Sequence, residues 1–289
     1  MTLSLHMLKK IKILLEDIKI QHTIFALPFA LMSAFIASNG VPPSDKLLWI
    51  LLAMVGARSS AMSFNRIADV DYDRENPRTK ERALPKGRIR KSYYIIFLIL
   101  SVLLFIFSCI MLNRLALILS PAALLIVFFY SYTKRFTIFS HFFLGLSLSL
   151  APIGAWVAIR EEISIVSVVL GLAVIFWLAG LDIIYSCQDV EFDKSHGLFS
   201  FPAKLGIERA LRLAALFHVI MMLFLFSLFF TGNLGLLYVV GIILIAGLLY
   251  YEHSIVRPDD LSMVNVAFFN VNGIISIGLM LMTILDIIY

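Results

Sequence analysis

The sequence predicts an all-α membrane protein, one helical bundle of nine transmembrane helices that takes up residues 1–289 as a single domain. Hydrophobic residues make up 61% of the chain, charged residues only 15%, and the mean hydropathy is +0.94, a balance far from that of soluble globular proteins. A bilayer core of about 30 Å takes about 20 residues per helix, which leaves room for about eight to ten spans. The apolar segments do not alternate with polar residues, which argues against a β-barrel.

The nine predicted spans are separated by polar breaks or by breaks that contain glycine or proline. Pro28, Pro121 and Pro152 fall inside spans, where lipid-embedded helices tolerate proline because neighbouring groups satisfy the freed carbonyls. We therefore interpret these prolines as kinks and not as helix ends. The spans lie near residues 23–38, 46–64, 93–112, 114–132, 138–159, 163–184, 209–231, 233–251 and 262–289.

The lysines and arginines indicate the orientation of the bundle. If the N-terminus and every second connection lie on one side of the membrane, that side holds 21 of the 24 basic residues, and the other side holds only Lys46, Arg114 and Arg160. By the positive-inside rule the N-terminus is then cytoplasmic, and we expect the protein in the inner (cytoplasmic) membrane of the cell. Loops beside anionic lipid explain the net charge of +5, so no nucleic-acid partner is predicted.

Two cytoplasmic connections, about residues 65–92 and 185–208, begin at acidic residues with helical spacing. Asn65, Asp69 and Asp73 are four residues apart, so a helix brings their side chains to one face. The second group follows the same kind of spacing at the end of the sixth span and consists of Asp182, Tyr185, Asp189 and Asp193. Each group is predicted to form a ladder of oxygen ligands.

These ladders indicate a magnesium site. Closely spaced carboxylates near a bilayer are costly unless a cation neutralises them, and hard oxygen ligands suit Mg²⁺, which completes its shell with water and substrate phosphates. One ladder alone is equally consistent with a solvated charged loop. The pattern of residues 69–74, Asp-x-x-x-Asp-basic, recurs at residues 189–194, which indicates an internal duplication around a central site. Two facing ladders are therefore predicted to hold a diphosphate between metal ions.

Several segments carry a resemblance to a known family. Residues 65–73, with the Asn-Pro-Arg-Thr sequence at 76–79, are similar to the first aspartate motif of the UbiA superfamily of intramembrane aromatic prenyltransferases. Residues 182–193 resemble its second aspartate motif, and residues 130–135 resemble its Tyr-x-x-x-Lys segment after the fourth span. The resemblance extends over essentially the whole chain. One departure is Arg66, which stands where the family usually has an acidic residue.

Three features also resemble one branch of the superfamily in particular. The Asn65-Arg66 pair, the segment 22–30 and the segment 151–156 look like the branch that prenylates 4-hydroxybenzoate, or its menaquinone-pathway relatives that prenylate a dihydroxynaphthoate. This implies Mg²⁺-dependent transfer of a polyprenyl chain from polyprenyl diphosphate to an aromatic acid, in ubiquinone or menaquinone biosynthesis. The implied partners are polyprenyl diphosphate, the aromatic acid acceptor and membrane lipid.

The resemblance further implies roles for single residues. Asp182 lies seven residues before Asp189, about 10 Å deeper along a helix, and is the candidate catalytic group that orients the acceptor hydroxyl or takes the ring proton. The candidate metal ligands are Asn65, Asp69, Asp73, Asp189 and Asp193. The candidate substrate-binding residues are Arg58, Arg78, Tyr130, Lys134, Arg135 and Tyr185.

Other interpretations stay open for some of these features. Arg58 can snorkel to the cytoplasmic interface, and Lys134 and Arg135 can serve as positive-inside anchors. A transporter also carries membrane carboxylates, although these tend to lie near the midplane and not at helix ends. Another branch of the superfamily, with a haem, chlorophyll or lipid acceptor, is compatible with the same spacing. Interior hydrogen bonding, and not metal ligation, is expected of three histidines, His22, His141 and His218.

Overall fold

The computed structural model describes residues 2–18 and 25–289. These residues form thirteen α-helices, a 3₁₀ turn (Cys187–Asp189) and a π-helical segment (Val266–Val271), and contain no β-strand. The α-helices in chain order are α1 (Thr2–Asp17), α2 (Leu27–Ser38), α3 (Ser44–Ala68), α4 (Val70–Glu75), α5 (Lys91–Leu112), α6 (Arg114–Thr133), α7 (Ser140–Arg160), α8 (Ile165–Ser186), α9 (Val190–Ser195), α10 (Phe201–Leu205), α11 (Ile207–Thr231), α12 (Leu236–Ile255) and α13 (Asn272–Ile288). The predicted all-α fold is confirmed.

Eight helical segments of the described chain are long and apolar enough to cross a membrane. Six are α3, α5, α6, α7, α11 and α12. The other two join α8 to α9 (Ile165–Ser195) and the π-helical segment to α13 (Val266–Ile288). The chain is thus a multi-pass membrane protein. The first predicted span corresponds to α2, which has only 12 residues, while the start of that span, like His22, lies outside the described residues.

The three prolines occupy two kinds of position. Pro121 and Pro152 lie inside α6 and α7, as predicted. Pro28 instead lies in the first turn of α2, where its missing N–H removes no bond from the helix because the first turn has no acceptor for it. The interpretation of Pro28 as a kink is therefore wrong.

Both acidic segments contain a helix break. The backbone leaves helical geometry at Asp69 (φ −100°, ψ 8°), between α3 and the six-residue helix α4. It does so again at Asp189 (φ −105°, ψ 6°), before the six-residue helix α9. The predicted ladders are therefore not continuous helices. The N–H groups of Asp69 and Asp73 still bond to the carbonyls of the residues four positions earlier, at 2.9 and 2.8 Å. The angular spacing of these residues around the helix axis is therefore largely kept.

Helix α8 lies at the centre of the bundle. In its apolar stretch 72% of the residues are buried, against 28% to 39% in the other candidate spans. Gly145 of α7 approaches Ile175 of α8 so closely that a Cβ atom would lie 2.6 Å from the Ile175 carbonyl oxygen. Small residues permit such close helix contacts in membranes. This packing fixes the helix that carries Asp182 and Tyr185.

A buried polar network holds the π-helical segment in place. The Asn272 side-chain amide donates to the Ala267 carbonyl (2.9 Å) and to the Glu252 carboxyl (2.8 Å). Its oxygen accepts a bond from the Trp177 indole of α8 (2.7 Å). A π-helical turn leaves backbone groups displaced from the regular ladder, and Asn272 satisfies one of them. The network thereby ties the last span to the central helix.

Replacing Gly145 with alanine is expected to lower the apparent melting temperature of the protein in detergent. The added Cβ forces α7 and α8 apart, and overpacking of this kind typically costs about 1–3 kcal/mol. Gly154→Ala on the same helix is the matched control, because no atom lies within 4 Å of a Cβ at that position. An unchanged melting temperature for Gly145→Ala would contradict the tight crossing.

Candidate active site

The predicted site residues converge on one cavity of about 360 Å³ where α3, α6 and α8 end. Helix α7 and the π-helical segment complete its wall. Of the twelve predicted site residues only Arg58 lies elsewhere. The eleven that line the cavity are Asn65, Asp69, Asp73, Arg78, Tyr130, Lys134, Arg135, Asp182, Tyr185, Asp189 and Asp193.

The first helix break carries two ion-paired aspartates. The Asp69 carboxylate lies 3.0 Å from the Arg135 guanidinium, which also donates to the Ala68 carbonyl (2.7 Å). Arg82 donates to both Asp73 oxygens, each at 2.8 Å. Arg82 was not among the residues predicted for the site, because an arginine nine residues away in a loop has no fixed spacing to signal the contact.

The second helix break carries the matching pair. Arg78 reaches across from the first loop and donates to both Asp189 oxygens, at 3.0 and 2.6 Å. Lys134 lies 2.8 Å from Asp193, whose other oxygen accepts a bond from the Ser200 hydroxyl (2.8 Å). Basic side chains from the first loop and from the end of α6 therefore connect the two acidic walls.

The donor set fits Mg²⁺ that arrives with a phosphate ligand. Among the described residues no three carboxylate, histidine or cysteine groups converge into a preformed metal centre. Mg²⁺ does not require one, because it typically binds one or two carboxylates and takes its other ligands from water and substrate phosphates. Burial is the largest influence on the Asp69 carboxyl and raises its pKa, although bonds from Arg135 oppose this shift. A further cation at this wall would stabilise the ionised carboxylate.

Asn65 supports Asp69 and does not present a free oxygen. Its side-chain N–H group donates to Asp69 (2.7 Å), and its oxygen accepts a bond from Arg66 (3.1 Å). Arg66 is buried and forms an ion pair with Asp17 of α1 (3.4 Å). In this structure the side chain of Asn65, a predicted metal ligand, therefore holds Asp69 and is itself held by Arg66.

Asp17, the ion-pair partner of Arg66, also contacts the first loop and α5. Its carboxylate also accepts bonds from the Ala83 backbone N–H (2.7 Å) and from the Tyr94 hydroxyl (2.6 Å). These contacts tie α1 to the loop that carries Arg78. Arg66 thus joins α3 to α1 through its ion pair with Asp17.

Arg58 belongs to a second cavity of about 370 Å³ with a mostly apolar lining. Its Nε atom is buried and has no hydrogen-bond partner in the part of the chain that the structure describes. The two cavities adjoin, because Met62, Tyr130 and Leu144 line both. Arg58, predicted to bind substrate, therefore lies at the wall of the second cavity and not among the residues that line the first.

The predicted catalytic and acceptor residues lie on α8. The Asp182 carboxylate lies 2.6 Å from Nδ1 of His141. The Tyr185 hydroxyl accepts a bond from Arg78 (3.0 Å), and its ring packs on Phe268 of the π-helical segment (4.2 Å between centroids). His141 was expected to make interior hydrogen bonds, which the structure confirms, but nothing in its spacing identified Asp182 as the partner.

Comparison with known proteins agrees with this geometry. The 4-hydroxybenzoate octaprenyltransferase of Vibrio atlanticus (strain LGP32) is 31% identical over 255 residues, which cover 86% of this chain and 88% of that protein. An apo structure of a UbiA homolog from Aeropyrum pernix K1 superposes with a TM-score of 0.84 at 32% identity, over 92% of this chain and 98% of the homolog.

A more distant structure shares the fold. A UbiA homolog from Archaeoglobus fulgidus bound to GPP and Mg²⁺ matches with a TM-score of 0.68 at 20% identity, over 94% of this chain and 99% of that one. The model of the UbiA prenyltransferase family matches residues 26–274, which include both helix breaks and the whole cavity between them. The chain belongs to the UbiA prenyltransferase family.

Proposed function

We propose that this prenyltransferase transfers a polyprenyl chain from polyprenyl diphosphate to an aromatic acid, 4-hydroxybenzoate or a dihydroxynaphthoate, in ubiquinone or menaquinone biosynthesis. The observation that carries the proposal is a cavity with four aspartates, each paired with a basic side chain, beside an apolar cavity. Alternating charges of this kind match a diphosphate with Mg²⁺, and the apolar cavity matches the prenyl chain. The names of similar proteins support an aromatic acid as acceptor.

The same proposal includes the orientation of the bundle. The helix α2 serves as a ninth, shorter span, which keeps the N-terminus and both helix breaks on the cytoplasmic side of the inner membrane. The distribution of lysine and arginine supports this orientation, because 21 of the 24 basic residues then lie on the cytoplasmic side. The active site is consequently open to cytoplasmic Mg²⁺ and diphosphate.

The four aspartates are the proposed magnesium ligands, Asp69 and Asp73 on one wall and Asp189 and Asp193 on the other. When bound, Mg²⁺ neutralises the negative charge that develops on the diphosphate as the C1–O bond breaks. Asn65 acts indirectly by holding Asp69. Each of these carboxylates is paired with a basic side chain, and these basic side chains are the proposed ligands of the phosphate oxygens. They are Arg78, Arg82, Lys134 and Arg135.

Arg58 has a separate proposed role. It lies away from the four aspartates, at the wall of the apolar cavity, with an unpaired buried Nε atom. A buried guanidinium N–H without a hydrogen-bond partner is costly, and the carboxylate of an aromatic acid matches the planar fork of donors of an arginine. We therefore assign Arg58 to the acceptor and not to the diphosphate. Tyr130, which lines both cavities, lies between the two substrates.

The chemical step follows from this arrangement. The C1–O bond of the allylic diphosphate breaks, and the diphosphate leaves with the bonding electrons. A ring carbon ortho to the acceptor hydroxyl forms the new bond to C1. The ring proton at that carbon passes to Asp182, which restores aromaticity, and the apolar cavity keeps water from the allylic cation.

Purified protein incubated with Mg²⁺, radiolabelled polyprenyl diphosphate and a panel of acceptors is expected to yield a prenylated aromatic acid. Excess EDTA should abolish the product and added Mg²⁺ should restore it, because the proposed ligands are hard oxygens. Chromatography of the labelled product identifies the acceptor. Full turnover in EDTA contradicts the magnesium site, and a product formed only with haem or lipid acceptors contradicts the acceptor class.

Asp69→Ala and Asp189→Ala should each reduce transfer by about 100-fold or more, because each removes a group that binds the charged leaving group. Asp71→Ala is the matched control, since the Asp71 side chain is 83% exposed and forms an ion pair with Arg74 at the surface. Initial rates at saturating substrate, with size-exclusion profiles to verify folding, give the comparison. A near wild-type rate for either aspartate variant removes that residue from the metal set.

Asp182→Asn should still bind polyprenyl diphosphate with Mg²⁺, yet form little prenylated acid. The substitution keeps the size of the side chain and removes the proton acceptor, whose loss is expected to reduce turnover by about 100-fold or more. Equilibrium binding of the diphosphate and single-turnover product formation separate the two effects. If diphosphate affinity falls as severely as in Asp189→Asn, Asp182 belongs with the metal ligands.

A further inference from the structure

His141 lies in a hydrogen-bonded chain that ends at the proposed catalytic carboxylate. Its side chain is 1% exposed, and its Nδ1 atom lies 2.6 Å from Asp182. Its Nε2 atom faces the backbone N–H group of Phe201 at 3.3 Å. The imidazole ring also stacks on the Phe201 ring, with 5.5 Å between centroids and 19° between planes. The histidine is therefore held from both ring nitrogens and from one face.

These contacts define which nitrogen carries the proton. A backbone N–H group can only donate, so Nε2 of His141 must hold a lone pair and accept. The single ring proton of the neutral imidazole is then on Nδ1, where it donates to Asp182. In this arrangement His141 has no free lone pair to take a proton from substrate. Asp182, whose side chain remains 24% exposed and lines the cavity, keeps its second carboxylate oxygen without a hydrogen bond to any residue that the structure describes.

The residue next to Phe201 contacts one of the proposed metal ligands. Ser200, the residue before Phe201, donates its hydroxyl hydrogen to Asp193 at 2.8 Å and caps the short helix α10 by accepting from the Ala203 N–H (3.3 Å). One short turn thus contacts a proposed metal ligand through Ser200 and His141 through Phe201.

We propose that His141 is the positioning residue of Asp182, a neutral donor that occupies one carboxylate oxygen and directs the other at the acceptor. The inference rests on the proposed function, because it concerns how the acceptor hydroxyl is oriented and how the ring proton is removed. His141 does not itself receive that proton. Loss of the donor frees the carboxylate to rotate, and misplacement of a reacting group by about 1 Å costs about 100-fold in rate.

Two substitutions separate positioning from proton transfer. His141→Leu removes both the donor and the acceptor, so turnover should fall about 10- to 100-fold, while Mg²⁺-dependent binding of polyprenyl diphosphate stays unchanged. His141→Gln keeps an N–H donor for Asp182 and an oxygen acceptor for Phe201, and it cannot ionise. It should retain turnover within about threefold, with the wild-type pH profile of kcat.

Phe142→Leu is the control for lost ring packing on the same turn of α7, because Phe142 packs on Phe176 and Phe217 and does not line the cavity. It should leave turnover near the wild-type value. The inference is overturned if His141→Gln is as slow as His141→Leu, if His141→Leu is as fast as wild type, or if Phe142→Leu is equally slow. Wild-type protein that prenylates no aromatic acid in the same assay instead refutes the proposed function.

Discussion

The close placement of four carboxylates at the helix ends, three of them buried and Asp69 partly buried, is the constraint on which the rest of the structure depends. Each carboxylate is stable there only with a cation beside it, and Arg135, Arg82, Arg78 and Lys134 provide those cations. Arg78 connects the first loop to the second break, and the adjacent residues Lys134 and Arg135 bind opposite walls. The ion pairs that neutralise the carboxylates therefore also hold the two walls of the cavity together.

The chemistry proposed for the site makes use of the same pairs. In the proposed mechanism Asp69, Asp73, Asp189 and Asp193 would hold Mg²⁺, and the arginine or lysine beside each of them would bind phosphate oxygens. The acceptor side of the cavity is held differently, by the packing of α8 and by neutral hydrogen bonds around Asp182.

Much of this arrangement could be predicted from the sequence, because periodicity reports which residues share a helix face. The helical class follows from the apolar segments, and seven of the eleven cavity residues follow from the two acidic spacings. The other four, Arg78, Tyr130, Lys134 and Arg135, follow only from the resemblance to the UbiA superfamily. The breaks at Asp69 and Asp189 could not be predicted, since no proline or glycine marks them. Long-range partners such as His141 for Asp182 depend on how helices pack, which spacing along the chain does not encode. The position of Arg58 at the apolar cavity also depends on helix packing, so its spacing from Asn65 could not predict it.

The attachment of α1 through Asp17 and Arg66 has a consequence for sequence variation among related proteins. A buried arginine without its carboxylate, or the reverse, is strongly unfavourable, so a change at either position alone is selected against. In a relative with acidic residues at both positions, two carboxylates of like charge would face each other where this chain has an ion pair. The two positions are therefore expected to covary, and the identity of the residue after the first asparagine should indicate how the N-terminal helix is held.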